Sequence, residues 1–203
     1  MYLRFWITYT ILFISCLNGY AQELPPITNY KSEIYKGENQ NWSISQSSDK
    51  YIYVANNKGL LEFNGSNWVL YPSPNGTILR SVHVTDKTIF TGSYMDFGYW
   101  KRDDFGKLQY TSLGEPIFND MVEDEQFWKI TSSGQWILFQ SLNRIYIYDT
   151  LDGGINFINA SGIVAMFETK KGIYFQEVNK GVFKIQNGVS EKVEELDLLK
   201  EKR

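Results

Sequence analysis

Short apolar or alternating runs recur along the chain, and polar or glycine-containing turns separate them. Four units align with one another, each with an aliphatic and aromatic run, a polar turn, a second aromatic-rich run and a final glycine-containing turn. The units begin at Ile52, Ile89, Ile137 and Ile173, between 36 and 48 residues apart. Short runs of this kind, with asparagine and glycine between them, are typical of β-strands joined by tight turns. The pattern therefore predicts recurring strand pairs.

A further short strand is predicted on each side of every pair. The preceding strands are expected at residues 42–46, 80–84, 128–131 and 163–167, and the following strands at 67–71, 108–110, 155–158 and 191–193. Four short antiparallel strands that recur about every 40 residues are the pattern of a β-propeller blade. We therefore predict an all-β fold, a β-propeller of four-stranded antiparallel blades. About four blades are expected, at residues 30–75, 76–115, 120–160 and 161–203, without a complete ring. A β-sandwich, which also places strands at short intervals, is the alternative fold.

Composition supports a globular chain without a general attraction to nucleic acid. Of the 203 residues, 16% are aromatic and 21% are charged, and the formal net charge is −3. That composition provides enough apolar residues for a core and leans toward β-structure. Because the charge is slightly negative, we expect neither nucleic acid nor an anionic membrane surface as a partner.

The N-terminus has the features of a secretory signal peptide. Arg4 provides a positive charge, residues 5–17 form an uncharged and largely apolar run, and Gly19 and Ala21 precede a cleavage position before Gln22. We predict a signal peptide at residues 1–21, an exported, periplasmic location, and a propeller at residues 22–203. An uncleaved anchor and a lipoprotein with its lipid on Cys16 are the alternatives. Cleavage would remove Cys16, the single cysteine, and with it disulfide, thiol and cysteine–metal chemistry.

Little in the sequence points to catalysis or to a metal. His83 is the single histidine and lies within a predicted strand, and the chain contains no Gly-x-Ser-x-Gly segment. Acidic residues cluster at 103–104 and at 123–125, but adjacent acids in a turn are usually solvated. We therefore predict no catalytic residue, no metal site and no cofactor.

Aromatic residues in the second unit are the candidate ligand site. Tyr94, Asp96, Tyr99 and Trp100 lie in the connection between two of its strands. Sugars bind to aromatic faces that are flanked by carboxylates and amides, because the rings stack on CH groups while the polar groups bind hydroxyls. The alternative is that these rings pack between blades. For Trp42, Trp68, Trp128 and Trp136, at strand ends, packing between blades is the favoured interpretation.

The repeats also resemble a known family. Residues 42–68 are similar to the two-component-regulator propeller repeat, which ends on Gly-Leu-x-x-Phe/Tyr-Asn/Asp-Gly. The residues that match this motif are Gly59, Leu60, Phe63, Asn64 and Gly65, and more loosely Gly181, Val182, Asn187 and Gly188. Residues 91–100 (TGSYMDFGYW) resemble the second blade of large exported sensor regulators of Bacteroidetes-type bacteria.

This resemblance implies a periplasmic, ligand-sensing propeller of a membrane-spanning signal-transduction or transcription regulator, and a non-catalytic segment. A glycan or another environmental ligand would bind one face of the propeller, and the full-length protein would form a homo-oligomer through it. The membrane anchor and an output domain, either helix-turn-helix or histidine kinase, would follow residue 203, so that the chain is an N-terminal piece. The alternatives are an exported propeller enzyme that acts on polysaccharide as a lyase or hydrolase, and a generic protein-interaction propeller.

Overall fold

The computed structural model of the chain describes residues 25–160, 162–186 and 188–199. The predicted signal peptide and the repeat residue Asn187 therefore lie outside the described residues. The fold is that of a compact unit that begins at Lys31.

Sixteen strands in the described part of the chain form four antiparallel sheets of four strands, and within each sheet the strands follow one another in chain order. The first sheet contains β1 (Asn41–Gln46), β2 (Ile52–Asn56), β3 (Gly59–Phe63) and β4 (Trp68–Pro72). The second contains β5 (Ser81–Thr85), β6 (Thr88–Gly92), β7 (Phe97–Arg102) and β8 (Leu108–Ser112). The third contains β9 (Lys129–Ser133), β10 (Trp136–Gln140), β11 (Arg144–Asp149) and β12 (Ile155–Asn159). The fourth contains β13 (Ile163–Thr169), β14 (Gly172–Glu177), β15 (Gly181–Gln186) and β16 (Val189–Lys192). The predicted blades of four antiparallel strands are confirmed.

Helical segments are short. The helix α1 (Ser32–Tyr35) precedes the first blade, and two 3-10 helices follow the second and fourth blades, at Glu115–Asp120 and Glu194–Leu199. Proline lies near the start of the first of these 3-10 helices, where its missing N–H group costs no hydrogen bond.

The blades pack side by side through their first strands and through three hydrophobic cores. The strand β1 contacts β5, β5 contacts β9, and β9 contacts β13. One core joins the first and second blades, the next joins the second and third, and the last joins the third and fourth. No comparably packed pair of strands joins the fourth blade to the first within the described residues. The described residues therefore form no closed ring, as predicted.

The outer face of the first blade is covered from within the chain. Tyr35 of α1 packs with Val54 and Leu61 on this face, and Trp68 packs against the same cluster. Phe63 stacks on Trp68 with 4.7 Å between the ring centroids. Trp68 therefore does not lie between two blades of this structure, which differs from the expectation. Trp136, in contrast, packs against the core between the third and fourth blades, as expected.

Glycine at the start of β3 fixes the shape of the repeat. Gly59 has φ +148°, and a Cβ atom there would lie 2.1 Å from the carbonyl oxygen of Tyr71 on the neighbouring strand. Gly181 opens β15 in the corresponding position with a positive φ of 108°. The next residues, Leu60 and Val182, are buried in their blades. In the turn after β3, the Asn64 side-chain oxygen accepts hydrogen bonds from two backbone N–H groups. The matched motif thus acts through backbone geometry and packing.

Candidate functional site

Loops and strand starts converge at one end of the blades, here called the upper end, at which β1, β5 and β9 begin. Antiparallel pairing puts the end of β6 beside the start of β5, because Gly92 pairs with Ser81. The connection between β6 and β7 therefore lies at the upper end. The connection from β4 to β5 and the segment before β9 lie there for the same reason of strand direction.

A groove of about 620 Å³ opens at the upper end of the second blade. Three segments line it: the β4–β5 connection, the β6–β7 connection, and the end of β8 with the 3-10 helix that follows. Its lining residues include Asn75, Tyr94, Asp96, Glu115 and Phe118. The volume is within the range of about 300 to 1,000 Å³ in which small ligands bind.

Tyr94 and Asp96, two of the four predicted ligand residues, line this groove. Tyr94 is 39% exposed, and its hydroxyl donates a hydrogen bond to Asp124 over 2.6 Å. Asp96 accepts hydrogen bonds from the Ser112 hydroxyl at 2.6 Å and the Tyr110 hydroxyl at 2.9 Å. Burial raises the pKa of the Asp96 carboxyl above its ordinary value, while these two hydrogen bonds act in the opposite direction. Asp96 thus fixes the loop that presents Tyr94.

Tyr99 and Trp100, the other two predicted ligand residues, lie away from the groove. Trp100 is 4% exposed in the core between the first and second blades, and its indole N–H donates to the Thr91 hydroxyl. Tyr99 packs against the core between the second and third blades and stacks on Tyr148. The cause is the period of two along β7, which turns successive side chains toward opposite neighbours.

Two groove residues have no counterpart among the predicted ligand residues. Phe118 is 53% exposed on the 3-10 helix, and Asn75 donates from its side-chain amide to the Tyr94 carbonyl oxygen over 2.9 Å. Both residues lie in stretches without alternation. The two segments are distant in sequence from Tyr94, so their contact with it could not be predicted. The one available signal was a large apolar residue, Phe118, in an irregular stretch.

A second group of side chains occupies the upper end, where the first three blades meet. Trp42 is the second residue of β1, Arg80 immediately precedes β5 and Trp128 immediately precedes β9. The Arg80 guanidinium carbon lies 4.1 Å from the ring centroid of Trp42 and 4.8 Å from that of Trp128. We call these three residues the Trp–Arg–Trp cluster. Both indoles are 37% exposed, so they face solvent more than the expected packing between blades implies.

The first strands also carry the single histidine. His83 of β5 lies 2.9 Å from the Ser132 hydroxyl of β9, measured from its Nε2 atom. Burial lowers the pKa of His83, and the Glu168 carboxylate acts weakly in the opposite direction. This hydrogen bond links two neighbouring blades.

The carboxylate clusters differ in their environments. Glu125 is buried and accepts hydrogen bonds from the hydroxyls of Ser141 and Tyr146. Asp103 is partly exposed and accepts hydrogen bonds from backbone N–H groups of its own turn. Over residues 25–160, 162–186 and 188–199, no three His, Cys, Asp or Glu side chains are placed to hold a metal ion. No helix in that part of the chain is long and apolar enough to span a membrane.

Comparison with known proteins gives matches of fold. No family model and no curated protein matches the chain. Among solved structures, an extracellular domain assigned to the hybrid two-component system BT3049 of B. thetaiotaomicron is 18% identical with a TM-score of 0.59, over 82% of this chain and 26% of that one. A second such domain, of BT4673, is 16% identical with a TM-score of 0.58, over 82% of this chain and 22% of that one. The Neurospora crassa Pan2 WD40 domain is 13% identical with a TM-score of 0.54, over 81% of this chain and 52% of that one.

These similarities confirm the propeller fold expected from the sequence. The chain spans about a quarter of the length of the two bacterial extracellular domains. Those two bacterial structures are extracellular domains of hybrid two-component systems.

Proposed function

We propose that the chain is a ligand-sensing propeller segment of an exported sensor domain, within a membrane-spanning signal-transduction or transcription regulator. The observation that carries the proposal is the groove at the upper end of the second blade. Exposed rings of Tyr94 and Phe118 stand there beside the amide of Asn75 and the carboxylates of Asp96 and Glu115. The similar extracellular domains of bacterial two-component systems support the sensing role.

A glycan is the ligand class that suits this lining. The apolar CH faces of a sugar stack on exposed rings, while amide and carboxylate oxygens accept hydrogen bonds from its hydroxyls. Asn75 is held by the Tyr94 carbonyl oxygen and Asp96 by two hydroxyls, so the polar lining is ordered before a ligand binds. Such order lowers the entropy cost of binding.

A glycan array followed by titration of the purified protein tests the proposal. We expect binding of at least one glycan, without release of a cleaved product in a parallel turnover assay. The Phe118→Ala variant should bind that glycan about tenfold more weakly, because a loss of about 1.4 kcal/mol in contact energy corresponds to that factor.

Phe105→Ala is the matched control. Phe105 is 95% exposed in the turn between β7 and β8, outside the groove lining, so its removal should leave glycan affinity unchanged. Release of a cleaved product would favour the exported enzyme instead. Equal affinity of the two variants for the glycan would show that the groove is not its binding site.

A further inference from the structure

Arginine environments differ sharply across the described residues. Arg102 donates to the Glu62 carboxylate at 2.6 Å and to the Gly106 carbonyl oxygen at 2.9 Å through its two terminal nitrogens. Arg144 donates through Nε to Asn159 at 2.9 Å and through Nη1 to the Tyr146 hydroxyl at 3.2 Å. Each of these two guanidinium groups therefore donates hydrogen bonds to acceptors on neighbouring strands or turns.

Arg80 lacks such acceptors. Its side chain donates through Nε to the Gln126 amide oxygen at 3.1 Å, and within the part of the chain that the structure describes its two terminal nitrogens have no hydrogen-bond acceptor. No carboxylate there lies within 4.0 Å of it. Two carboxylates at the same end are bound elsewhere, since Asp124 accepts from Tyr94 and Glu38 accepts from Asn57. The Arg80 guanidinium is thus held in place through Nε, while its terminal N–H groups have no acceptor among the described residues.

The surroundings fix the guanidinium in place without using its outer edge. The guanidinium carbon lies within 5 Å of the centroids of both indoles, which meet edge to face, and the Nε hydrogen bond restricts the orientation of the group. Trp42 is itself held, because its indole N–H donates to the Asn57 side chain at 2.8 Å. A guanidinium that is held through Nε and by neighbouring rings presents its terminal N–H groups as a fork that matches the two oxygens of a carboxylate.

We propose that the Trp–Arg–Trp cluster binds the carboxylate of a small organic acid at the upper end, where the first three blades meet. The two terminal nitrogens of Arg80 donate to the carboxylate oxygens, and the exposed edges of Trp42 and Trp128 contact the adjoining carbon atoms. This site is separate from the groove of the second blade and does not depend on it.

The organic acid is favoured over a bare inorganic anion because of the flanking indoles. Each indole is exposed by more than a third of its area, and an inorganic oxyanion would leave this apolar surface in contact with water. A ligand with carbon atoms next to its carboxylate covers the surface while it binds the fork.

Titration with D-glucuronate, with D-glucose as the neutral counterpart, tests the site at constant ionic strength. The readout is the NMR signal of each indole N–H, assigned with Trp42→Phe and Trp128→Phe. A single carboxylate contact corresponds to a dissociation constant of about 1 mM or weaker. We therefore expect D-glucuronate in the millimolar range to shift the Trp42 and Trp128 signals, and D-glucose to leave them in place.

Variants distinguish the contribution of the guanidinium fork from the effects of positive charge and of folding. Arg80→Lys keeps a positive charge but lacks the fork, and we expect it to weaken the glucuronate response at least about fivefold. Arg144→Lys is the matched control, because Arg144 also lies over an aromatic ring, Phe157, at 4.3 Å. Its response should equal that of the unmodified protein. Phe118→Ala should also leave this response unchanged, which separates the site from the groove.

Three outcomes would overturn the proposal. One is equal indole shifts with D-glucose and D-glucuronate, and another is a glucuronate response that Arg80→Lys does not weaken. The third is an equal response to sodium sulfate, which would show an unselective anion contact. If Arg80→Lys lowers the melting temperature, Gln126→Ala provides the same comparison, since it releases Nε and should also weaken the response.

Discussion

Two aromatic regions of the molecule contain similar residues in opposite environments. In the core between the second and third blades, Phe97, Phe127 and Phe139 are fully buried, and the Phe97 ring contacts the other two rings and that of Tyr146. At the upper end, Phe118 and the two indoles of the Trp–Arg–Trp cluster remain substantially exposed. The rings of the core are surrounded by other rings, whereas those of the upper end stand beside polar groups.

Residue type alone therefore does not distinguish a packing residue from a binding residue in this fold. Trp100 and Tyr94 are six residues apart, yet the first lies in a core and the second lines the groove. What marks the upper end is the combination of exposed rings with polar groups, including the free donors of Arg80. Phe97 and Phe118 should therefore respond very differently to removal of the ring.

Removal of a core ring is expected to have the largest effect. Phe97→Ala should lower the free energy of unfolding by about 3–5 kcal/mol, because it leaves a cavity between two blades. Phe118→Ala should lower it by less than about 0.5 kcal/mol, because the ring is exposed. Denaturant unfolding monitored by fluorescence measures both. Similar losses for the two variants would contradict the division into a packing and a binding region.

A buried hydrogen bond in the core should have a smaller effect. Tyr146→Phe removes a hydroxyl that donates to the buried Glu125 carboxylate, and we expect a loss of about 1–3 kcal/mol in the free energy of unfolding. Tyr99→Phe is the matched control, since the Tyr99 hydroxyl has no hydrogen-bond partner within the described residues. Thermal and denaturant unfolding measure the pair. Equal losses would mean that the network around Glu125 adds no stability.

The hydrogen bond between His83 and Ser132 joins the second and third blades. Its loss should have the smallest effect on the free energy of unfolding, and this effect should depend on pH. Burial lowers the pKa of His83 below 6.5, so the unfolded chain binds the proton more tightly than the folded one. The free energy of unfolding should therefore decrease as pH falls below about 6.5 and recover as it rises through that value. His83→Gln should remove this part of the pH dependence between pH 5 and 8. An unchanged profile would exclude His83 as its source.

Much of the fold could be predicted from local pattern. Runs such as residues 52–56 are short and β-prone, and Gly59 and the Asn64–Gly65 pair provide the conformations that tight turns require. Recurrence of the same pattern identified the blades. The contact of Trp68 with Tyr35 of α1 on the outer face of the first sheet was not predictable, because the sequence does not reveal how α1 packs.

The candidate sites could be predicted only in part. Tyr94 and Asp96 lie in an irregular connection next to glycine, which is a local signal of a binding loop. The involvement of Asn75 and Phe118 was not predictable, since their segments meet Tyr94 only after the second blade has folded. Arg80 gave no signal of its own, because its character depends on two tryptophans from other blades.

The strands, the turns and their repetition follow from the amino-acid sequence, because these depend on interactions between residues near one another in the chain. Packing of the blades against one another sets which side chains face a neighbouring blade and which remain exposed, since burial depends on what packs against each sheet. The same packing brings Trp42, Arg80 and Trp128, more than 80 residues apart from first to last, to one end of the molecule. They meet there because the first strands of successive blades run parallel to one another.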